Sequence, residues 1–234
     1  MTLSETEATP PLRLTGRRQQ VLPDGQVELV LETSRGEIPC LLHPAVGGAA
    51  VIWVCGALGG KDGPSFGIYR QVADDLVASG ITSLRLDYRN PGYIPDCVRD
   101  VLAGVEYLEG CGQRRVGLVG HSFGGAVVIQ AGILSPAVKT VVGLSSQTYG
   151  ASEVARLAPK PLLLVHGERD RNLPADCSRH IYARAGEPKK LIIYPNNGHF
   201  LRECHDELRK LLRGWLVEKL GEDRAGLQNT PPPV

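Results

Sequence analysis

The sequence has no excess of charge of either sign and no long hydrophobic run. Its 26 Lys and Arg residues balance 25 Asp and Glu residues, which gives a formal net charge of +1. Proteins that bind a phosphate backbone or an anionic membrane surface carry a clear positive excess. Apolar runs such as those at 141–144 and 162–165 are strand-sized, and no run approaches the ~18–20 residues of a membrane-spanning helix. The sequence therefore predicts neither a nucleic-acid partner nor a membrane segment.

Signals for export, metal binding and nucleotide binding are also missing. The first twenty residues contain acidic side chains and two prolines instead of an apolar core, which predicts a cytoplasmic protein. Six cysteines are scattered without a CxxC pair, so we interpret them as reduced thiols. The glycine-rich stretch 56–63 has neither the P-loop pattern nor the GxGxxG spacing, and no HExxH sequence occurs. The predicted chemistry uses no cofactor and no metal.

What the sequence does contain is an alternation of short β-branched runs with longer amphipathic segments. This alternation predicts an α/β fold with a mostly parallel central sheet of about eight strands flanked by helices. We assign the domain to residues 21–220, with a flexible segment at 1–20 and a disordered, proline-containing tail at 221–234. The predicted strands are 27–33, 38–43, 50–55, 82–87, 115–119, 140–144, 161–166 and 191–194, and the predicted helices are 69–78, 96–108, 124–134, 175–185 and 207–220.

The pattern Gly-x-Ser-x-Gly, centred on Ser122, follows a predicted strand and precedes a helical run. In a sharp turn from strand to helix, the central side chain is displayed above the sheet edge. The small residues Gly120 and Gly124 let the strand and the helix approach each other. Free N–H groups at the helix N-terminus favour negative charge beside it. The pattern favours Ser122 as a nucleophile; the alternative is a serine that only caps a helix.

A serine nucleophile needs a base and an orienting carboxylate, and polar loops after two later strands supply candidates. Asp170 and His199 each follow a predicted strand. Parallel strands bring their carboxyl ends to one edge of a sheet, so both side chains are expected near Ser122. Two alternatives stay open. Glu168 competes with Asp170 for the role of the acid, and His166 is interpreted as a strand-end histidine with satisfied hydrogen bonds.

The sequences GHSFGG, HGERDRNLP and NGH, in this order, resemble the α/β-hydrolase fold family. The likeness extends over residues 27–220, nearly the whole chain. It implies a catalytic triad in which Ser122 is the nucleophile, Asp170 orients the imidazole and His199 is the general base and then the general acid. The resemblance also favours Asp170 over Glu168 as the acid.

The resemblance further implies an oxyanion hole built from two backbone N–H groups. One belongs to Phe123, the residue after the nucleophile, and the other to Ala57, with Leu58 as second choice. Many relatives have His-Gly where this chain has Cys55-Gly56. We interpret Cys55 as a small buried core residue, with a reactive thiol at the strand end as the alternative.

The segment 145–159 is short at the point where many relatives insert a helical cap. No large cap domain fits there, so the predicted site is open and suits small acyl groups. The residues expected to bind substrate are Gly56, Leu58, His121 and Tyr149.

The expected activity is hydrolysis of a carboxylic ester or thioester through an acyl-enzyme. Small relatives without a lid include the dienelactone hydrolases, but those carry cysteine where this chain has Ser122, which favours ordinary esters or thioesters over dienelactones. The triad alone does not separate ester cleavage from amide or peptide cleavage. A non-catalytic binding protein on the same fold is the other alternative. The expected partner is a small-molecule ester, and the expected assembly is a monomer or a homodimer.

Overall fold

A nine-stranded sheet organises residues 12–221, the part of the chain that the computed structural model describes. The strands are β1 (Leu14–Val21), β2 (Val27–Thr33), β3 (Gly36–His43), β4 (Ala49–Val54), β5 (Ile81–Leu86), β6 (Arg115–His121), β7 (Val138–Leu144), β8 (Leu162–Gly167) and β9 (Lys189–Tyr194). The helices are α1 (Pro64–Val77), α2 (Ile94–Gly110), α3 (Phe123–Leu134), α4 (Asp176–Arg184) and α5 (His205–Leu220). Across the sheet the strand order is β1-β2-β3-β5-β4-β6-β7-β8-β9.

The sheet is parallel over its larger part. Strands β4 to β9 pair in parallel with their neighbours. Strands β1, β2 and β3 form an antiparallel meander, which joins the parallel part through β5. The predicted α/β class with a mostly parallel sheet is confirmed.

Strand β1 corrects the predicted start of the domain. The interpretation of 1–20 as a flexible segment is wrong for residues 14–20, which pair antiparallel with β2. Nearly all side chains of β1 are exposed. The segment therefore lacks the alternation of apolar and polar residues by which a strand is predicted, and only its pairing with β2 makes it one. Residues 1–11 and 222–234 of the two predicted flexible termini lie outside the described residues.

Two apolar layers cover the faces of the sheet. Along β4, Ile52 packs in the layer of α2 and α3, and the adjacent Trp53 packs in the layer of α1 and α5. Every residue of β4 is buried, which explains why this strand reads as a continuous apolar run. Among the described residues, no helix is long and apolar enough to cross a membrane.

The connection from β7 to β8 determines how open the carboxyl edge of the sheet is. Its only helical element is a short 3-10 turn at Val154–Leu157. Within residues 12–221 there is no helical cap at this position, as predicted. The loops that follow β4, β6, β8 and β9 are therefore left to form the surface at this edge.

Candidate active site

The turn between β6 and α3 holds Ser122 in a strained conformation. Its φ of 58° and ψ of −119° lie outside the regions that a residue with a side chain prefers. A Cβ at Gly120 would overlap the carbonyl group of Gly124, and a Cβ at Gly124 would overlap the carbonyl oxygen of Cys55. Because backbone atoms form both contacts, no side chain can yield there. The two glycines of the motif are thus required by the close approach of β6, α3 and the end of β4.

The loop after β4 lies against the nucleophile candidate. A Cβ built on Gly56 would be 3.5 Å from Ser122 Cβ and 3.8 Å from Ser122 Oγ. Phe123 is the first residue of α3, so its N–H group has no acceptor within the helix. In the described part of the chain, the N–H groups of Ala57 and Leu58 donate to no backbone carbonyl either. All three predicted oxyanion donors therefore retain a free N–H group.

Four hydrogen bonds with a side-chain partner hold the loop at residues 56–63. Gly60 donates its N–H to Asp87 Oδ1 over 2.7 Å, and Gly63 donates to Cys55 Sγ over 3.3 Å. The buried guanidinium of Arg85 donates to Asp62 Oδ1 at 2.8 Å and to a loop carbonyl at 3.4 Å. These bonds hold in place the loop that carries the free N–H groups of Ala57 and Leu58.

Asp170 presents its carboxylate to His199 from the loop after β8. Asp170 Oδ2 accepts a hydrogen bond from His199 Nδ1 at 2.7 Å. Asp170 Oδ1 accepts bonds from the backbone N–H groups of Asn172 and Leu173, both at 2.8 Å. Burial opposes ionisation of Asp170, but the donors from Leu173, His199 and Asn172 outweigh it and lower the pKa of this carboxyl below its ordinary value. Asp170 is an ionised hydrogen-bond acceptor at neutral pH.

His199 has its Nδ1 bound to Asp170, so Nε2 is the nitrogen available as a base. His199 and Ser122 line the same cavity. Within the described residues no hydrogen bond joins Ser122 Oγ to His199 in this state, and catalytic hydrogen bonds of this kind often form only when the substrate is bound. His121 donates its Nε2–H to the carbonyl oxygen of His199 at 3.0 Å. Burial lowers the pKa of His121 to about 4, so this ring stays neutral.

The cavity at Ser122 has a volume of about 330 Å³. Of the predicted substrate-binding residues, Gly56, Leu58 and His121 line it, as does Ala57. Tyr149 does not, because it lies 79% exposed in a separate surface groove next to Ile94. The complete lining is Cys55, Gly56, Ala57, Leu58, Gly59, Gly63, His121, Ser122, Asn172, His199 and Phe200.

Asn172 and Phe200 are among the lining residues that the sequence analysis missed, together with Gly59 and Gly63 of the loop after β4. Asn172 and Phe200 lie within two positions of a predicted triad member: Asn172 follows Asp170 closely, and Phe200 directly follows His199. Proximity along the chain to a catalytic candidate was the available signal for both residues.

Cys55 is a buried residue beneath the cavity. Its side chain is 7% exposed, and its Sγ accepts the N–H group of Gly63. Burial raises the pKa of this thiol to about 11, so it is protonated at neutral pH and a poor nucleophile. The interpretation of Cys55 as a small core residue is confirmed. Within residues 12–221, no group of three or more His, Cys, Asp or Glu side chains is arranged to hold a metal ion.

The comparison with protein families decides the family of this chain. Residues 81–210, more than half of the 234 residues, match the family model of the dienelactone hydrolase family. The chain belongs to the dienelactone hydrolase family. The matched range contains Ser122, Asp170 and His199. Membership identifies the chain as a hydrolase.

Curated relatives of this dienelactone hydrolase family member are themselves uncharacterised. The uncharacterised protein YfhR of Escherichia coli K12 is 28% identical over 127 aligned positions, and the match covers 44% of this chain and 45% of that protein. The match therefore spans less than half of that relative. The uncharacterised protein Rv2307c of Mycobacterium tuberculosis H37Rv is 26% identical over 215 residues, which are 76% of this chain and 74% of that protein.

Solved structures of similar fold confirm the α/β-hydrolase fold. A dienelactone hydrolase from Anabaena variabilis aligns with a TM-score of 0.71 and 17% identity, covering 87% of this chain and 99% of the other. The esterase domain of a Rhodothermus marinus protein aligns with a TM-score of 0.69 and 17% identity, covering 88% of this chain and 100% of that domain. At these identities the similarity defines the fold alone.

Proposed function

We propose that this dienelactone hydrolase family member is a serine hydrolase that cleaves small carboxylic esters or thioesters through an acyl-enzyme. The observation that carries the proposal is the 2.7 Å hydrogen bond between His199 and Asp170, beside a cavity that also contains Ser122 on its strained turn. This combination supplies a nucleophile, a base and a group that orients the base.

The first half of the reaction forms the acyl-enzyme. Ser122 Oγ attacks the carbonyl carbon of the ester while His199 Nε2 accepts the hydroxyl proton. The carbonyl oxygen becomes an oxyanion, which the N–H groups of Phe123 and Ala57 stabilise. As the tetrahedral intermediate collapses, the bond to the alcohol oxygen breaks and His199 returns its proton to the leaving alkoxide. The ionised Asp170 stabilises the imidazolium between these two steps.

The second half releases the acid. A water molecule gives its proton to His199 Nε2 and its oxygen attacks the acyl carbon. The same N–H groups hold the second oxyanion, and collapse returns the proton to Ser122 Oγ. Every step uses only water and residues of this chain.

The shape of the site supports a small or projecting substrate. The cavity of about 330 Å³ is close to the lower end of ligand pockets in general. Leu58 at its rim is 97% exposed, and the short β7–β8 connection leaves the edge uncovered. A short acyl chain fits such a site, while the bulk of a larger alcohol projects into solvent.

The test is hydrolysis of p-nitrophenyl esters from acetate to octanoate, with the matching anilides in parallel. Ser122→Ala is expected to lose all activity above background, whereas the exposed Ser152→Ala retains it. A fluorophosphonate probe is expected to label the wild type at Ser122 and to leave Ser122→Ala unlabelled. Ester activity that survives in Ser122→Ala contradicts the proposal, as does a wild type that neither hydrolyses nor labels. Faster turnover of the anilides than of the esters would identify an amidase instead.

A further inference from the structure

The proposed mechanism leaves His166 without a role, although this side chain is completely buried beside the triad. It lies near the carboxyl end of β8. His166 Nε2 is 3.1 Å from Asp170 Oδ2 and 3.0 Å from the carbonyl oxygen of Leu173. His166 Nδ1 is 2.7 Å from Ser178 Oγ on α4. Both ring nitrogens are therefore engaged in hydrogen bonds.

These contacts determine which nitrogen of His166 carries the proton. A carboxylate and a carbonyl oxygen can only accept, so Nε2 must carry the hydrogen and donate to them. A hydroxyl can donate as well as accept, so in a neutral ring the Ser178 O–H donates to the unprotonated Nδ1. The contacts are satisfied by a neutral ring with its proton on Nε2. Burial lowers the pKa of His166 and favours the same neutral form.

The ring therefore donates to the same carboxylate oxygen that His199 uses. His199 Nδ1 lies 2.7 Å from Asp170 Oδ2, and His166 Nε2 lies 3.1 Å from the same oxygen. We propose that His166 is a positioning residue, which holds Asp170 Oδ2 with a second hydrogen bond and so fixes the orientation of His199. The proposal rests on the proposed function, because it assigns His166 to the triad of that reaction.

Neutrality of His166 is what suits it to this role. The ionisable groups around it are Asp170 on the loop that follows β8, His199 on the loop after β9, and His121 at the end of β6. A second positive charge there would oppose the imidazolium that forms on His199 during catalysis. A neutral N–H group holds the carboxylate in place without adding that charge.

The first experiment determines which ring nitrogen of His166 carries the proton in the wild-type protein. Two-dimensional 1H–15N spectra of the histidine side chains, with His166→Gln used for assignment, are recorded between about pH 5 and pH 8, the range in which an ordinary imidazole titrates. We expect His166 to show the neutral Nε2–H form throughout. A ring that protonates in this range, or one with its proton on Nδ1, overturns the proposal. The spectra need no substrate, so this result is independent of the proposed function.

The second experiment compares two substitutions that differ in one donor. In His166→Gln the amide nitrogen can reach the position of Nε2, whereas His166→Met fills the space without a donor. We expect kcat for p-nitrophenyl acetate to fall roughly 10- to 100-fold in His166→Met, because a misplaced base is slow, and to fall less in His166→Gln. The exposed His180→Gln on the neighbouring helix serves as the unchanged control.

The pH profile separates positioning from a merely structural role. The acid limb of kcat/KM marks protonation of the general base. Without the N–H dipole of His166, Asp170 Oδ2 interacts more strongly with the imidazolium of His199. The acid limb is therefore expected to move to higher pH in His166→Met. In His166→Gln it should stay close to that of the wild type. A folded His166→Met with wild-type kcat and an unmoved limb overturns the proposal. If Ser122→Ala retains activity, it is the proposed function that fails, while the spectra still decide the state of His166.

Discussion

His121 and His199 are joined by two contacts that tie the nucleophile turn to the loop of the base. The Nε2–H of His121 donates to the carbonyl oxygen of His199 over 3.0 Å, and the two ring centroids are 4.7 Å apart. His121 directly precedes Ser122, so this bond couples the positions of nucleophile and base. The contact does not require a charged His121, and the buried site opposes one.

The buried His121 is expected to make the fold sensitive to acid. Its pKa is about 4 in the folded chain, against 6.5 for an unperturbed histidine. Below pH 6.5 the unfolded chain binds a proton that the folded chain does not, so stability falls as the pH drops from 6.5 towards 4. This one group accounts for a loss of about 3 kcal/mol across that window.

Urea unfolding of the wild type and of His121→Gln at several values from pH 7 to pH 4.5 measures this loss. The free energy of unfolding should depend less steeply on pH in His121→Gln. Some slope remains, because burial also lowers the pKa of His43 and His166. The exposed His180→Gln is the control and should keep the full slope. Equal slopes in all three proteins would show that His121 is not neutral in the fold.

The Asp170→Asn substitution tests whether Asp170 or Glu168 is the acid of the proposed triad. An amide in place of the carboxylate favours the wrong imidazole tautomer of His199, and we expect kcat for p-nitrophenyl acetate to fall by ~10⁴-fold with little change in fold. Glu168 is exposed, and Glu168→Gln should keep wild-type kcat. Circular dichroism and steady-state kinetics on both variants check the prediction. A larger loss in Glu168→Gln than in Asp170→Asn would reverse the assignment.

The parallel part of the fold could be predicted because burial on both faces leaves a strong signal in the sequence. In β4 neighbouring side chains enter opposite apolar layers, so the whole run is hydrophobic. Strand β1 carries no such signal, since its side chains are exposed and its stability comes from hydrogen bonds to β2. The composition of one segment alone does not predict whether it will pair with another segment as a β-strand.

The predicted site residues also fall into two groups: those that the sheet positions, and those whose position depends on how a loop packs. Ser122, Asp170 and His199 follow parallel strands, and the sheet geometry brings such positions to one edge. Tyr149 also follows a parallel strand, but its loop turns away and the side chain lies in another groove. The direction of a loop depends on its packing, which the sequence pattern does not contain. For the same reason His166 reads only as a strand-end histidine until its contact with Asp170 is seen.

Two glycine substitutions are expected to change stability in opposite directions. In Gly120→Ala the new Cβ meets the backbone of Gly124, and we expect a loss of about 1–3 kcal/mol or more. Gly214 is an exposed position within α5 with open space around it, so Gly214→Ala should gain about 0.5–1 kcal/mol. Urea unfolding of both variants provides the comparison. A tolerated Gly120→Ala would mean that the turn around Ser122 can relax.

The bond between Gly60 and Asp87 is expected to affect the rate of the chemical step more than substrate binding. Asp87 Oδ1 accepts the Gly60 N–H at 2.7 Å and thereby holds the loop that carries Ala57. Asp87→Ala removes the acceptor, and we expect kcat to fall about tenfold because the oxyanion donor is misplaced. KM should change little, because the oxyanion exists only after attack. Asp87→Asn retains an oxygen acceptor and should recover most of kcat. If instead KM rises while kcat is preserved in Asp87→Ala, the loop binds the substrate in its ground state and Ala57 is not the donor.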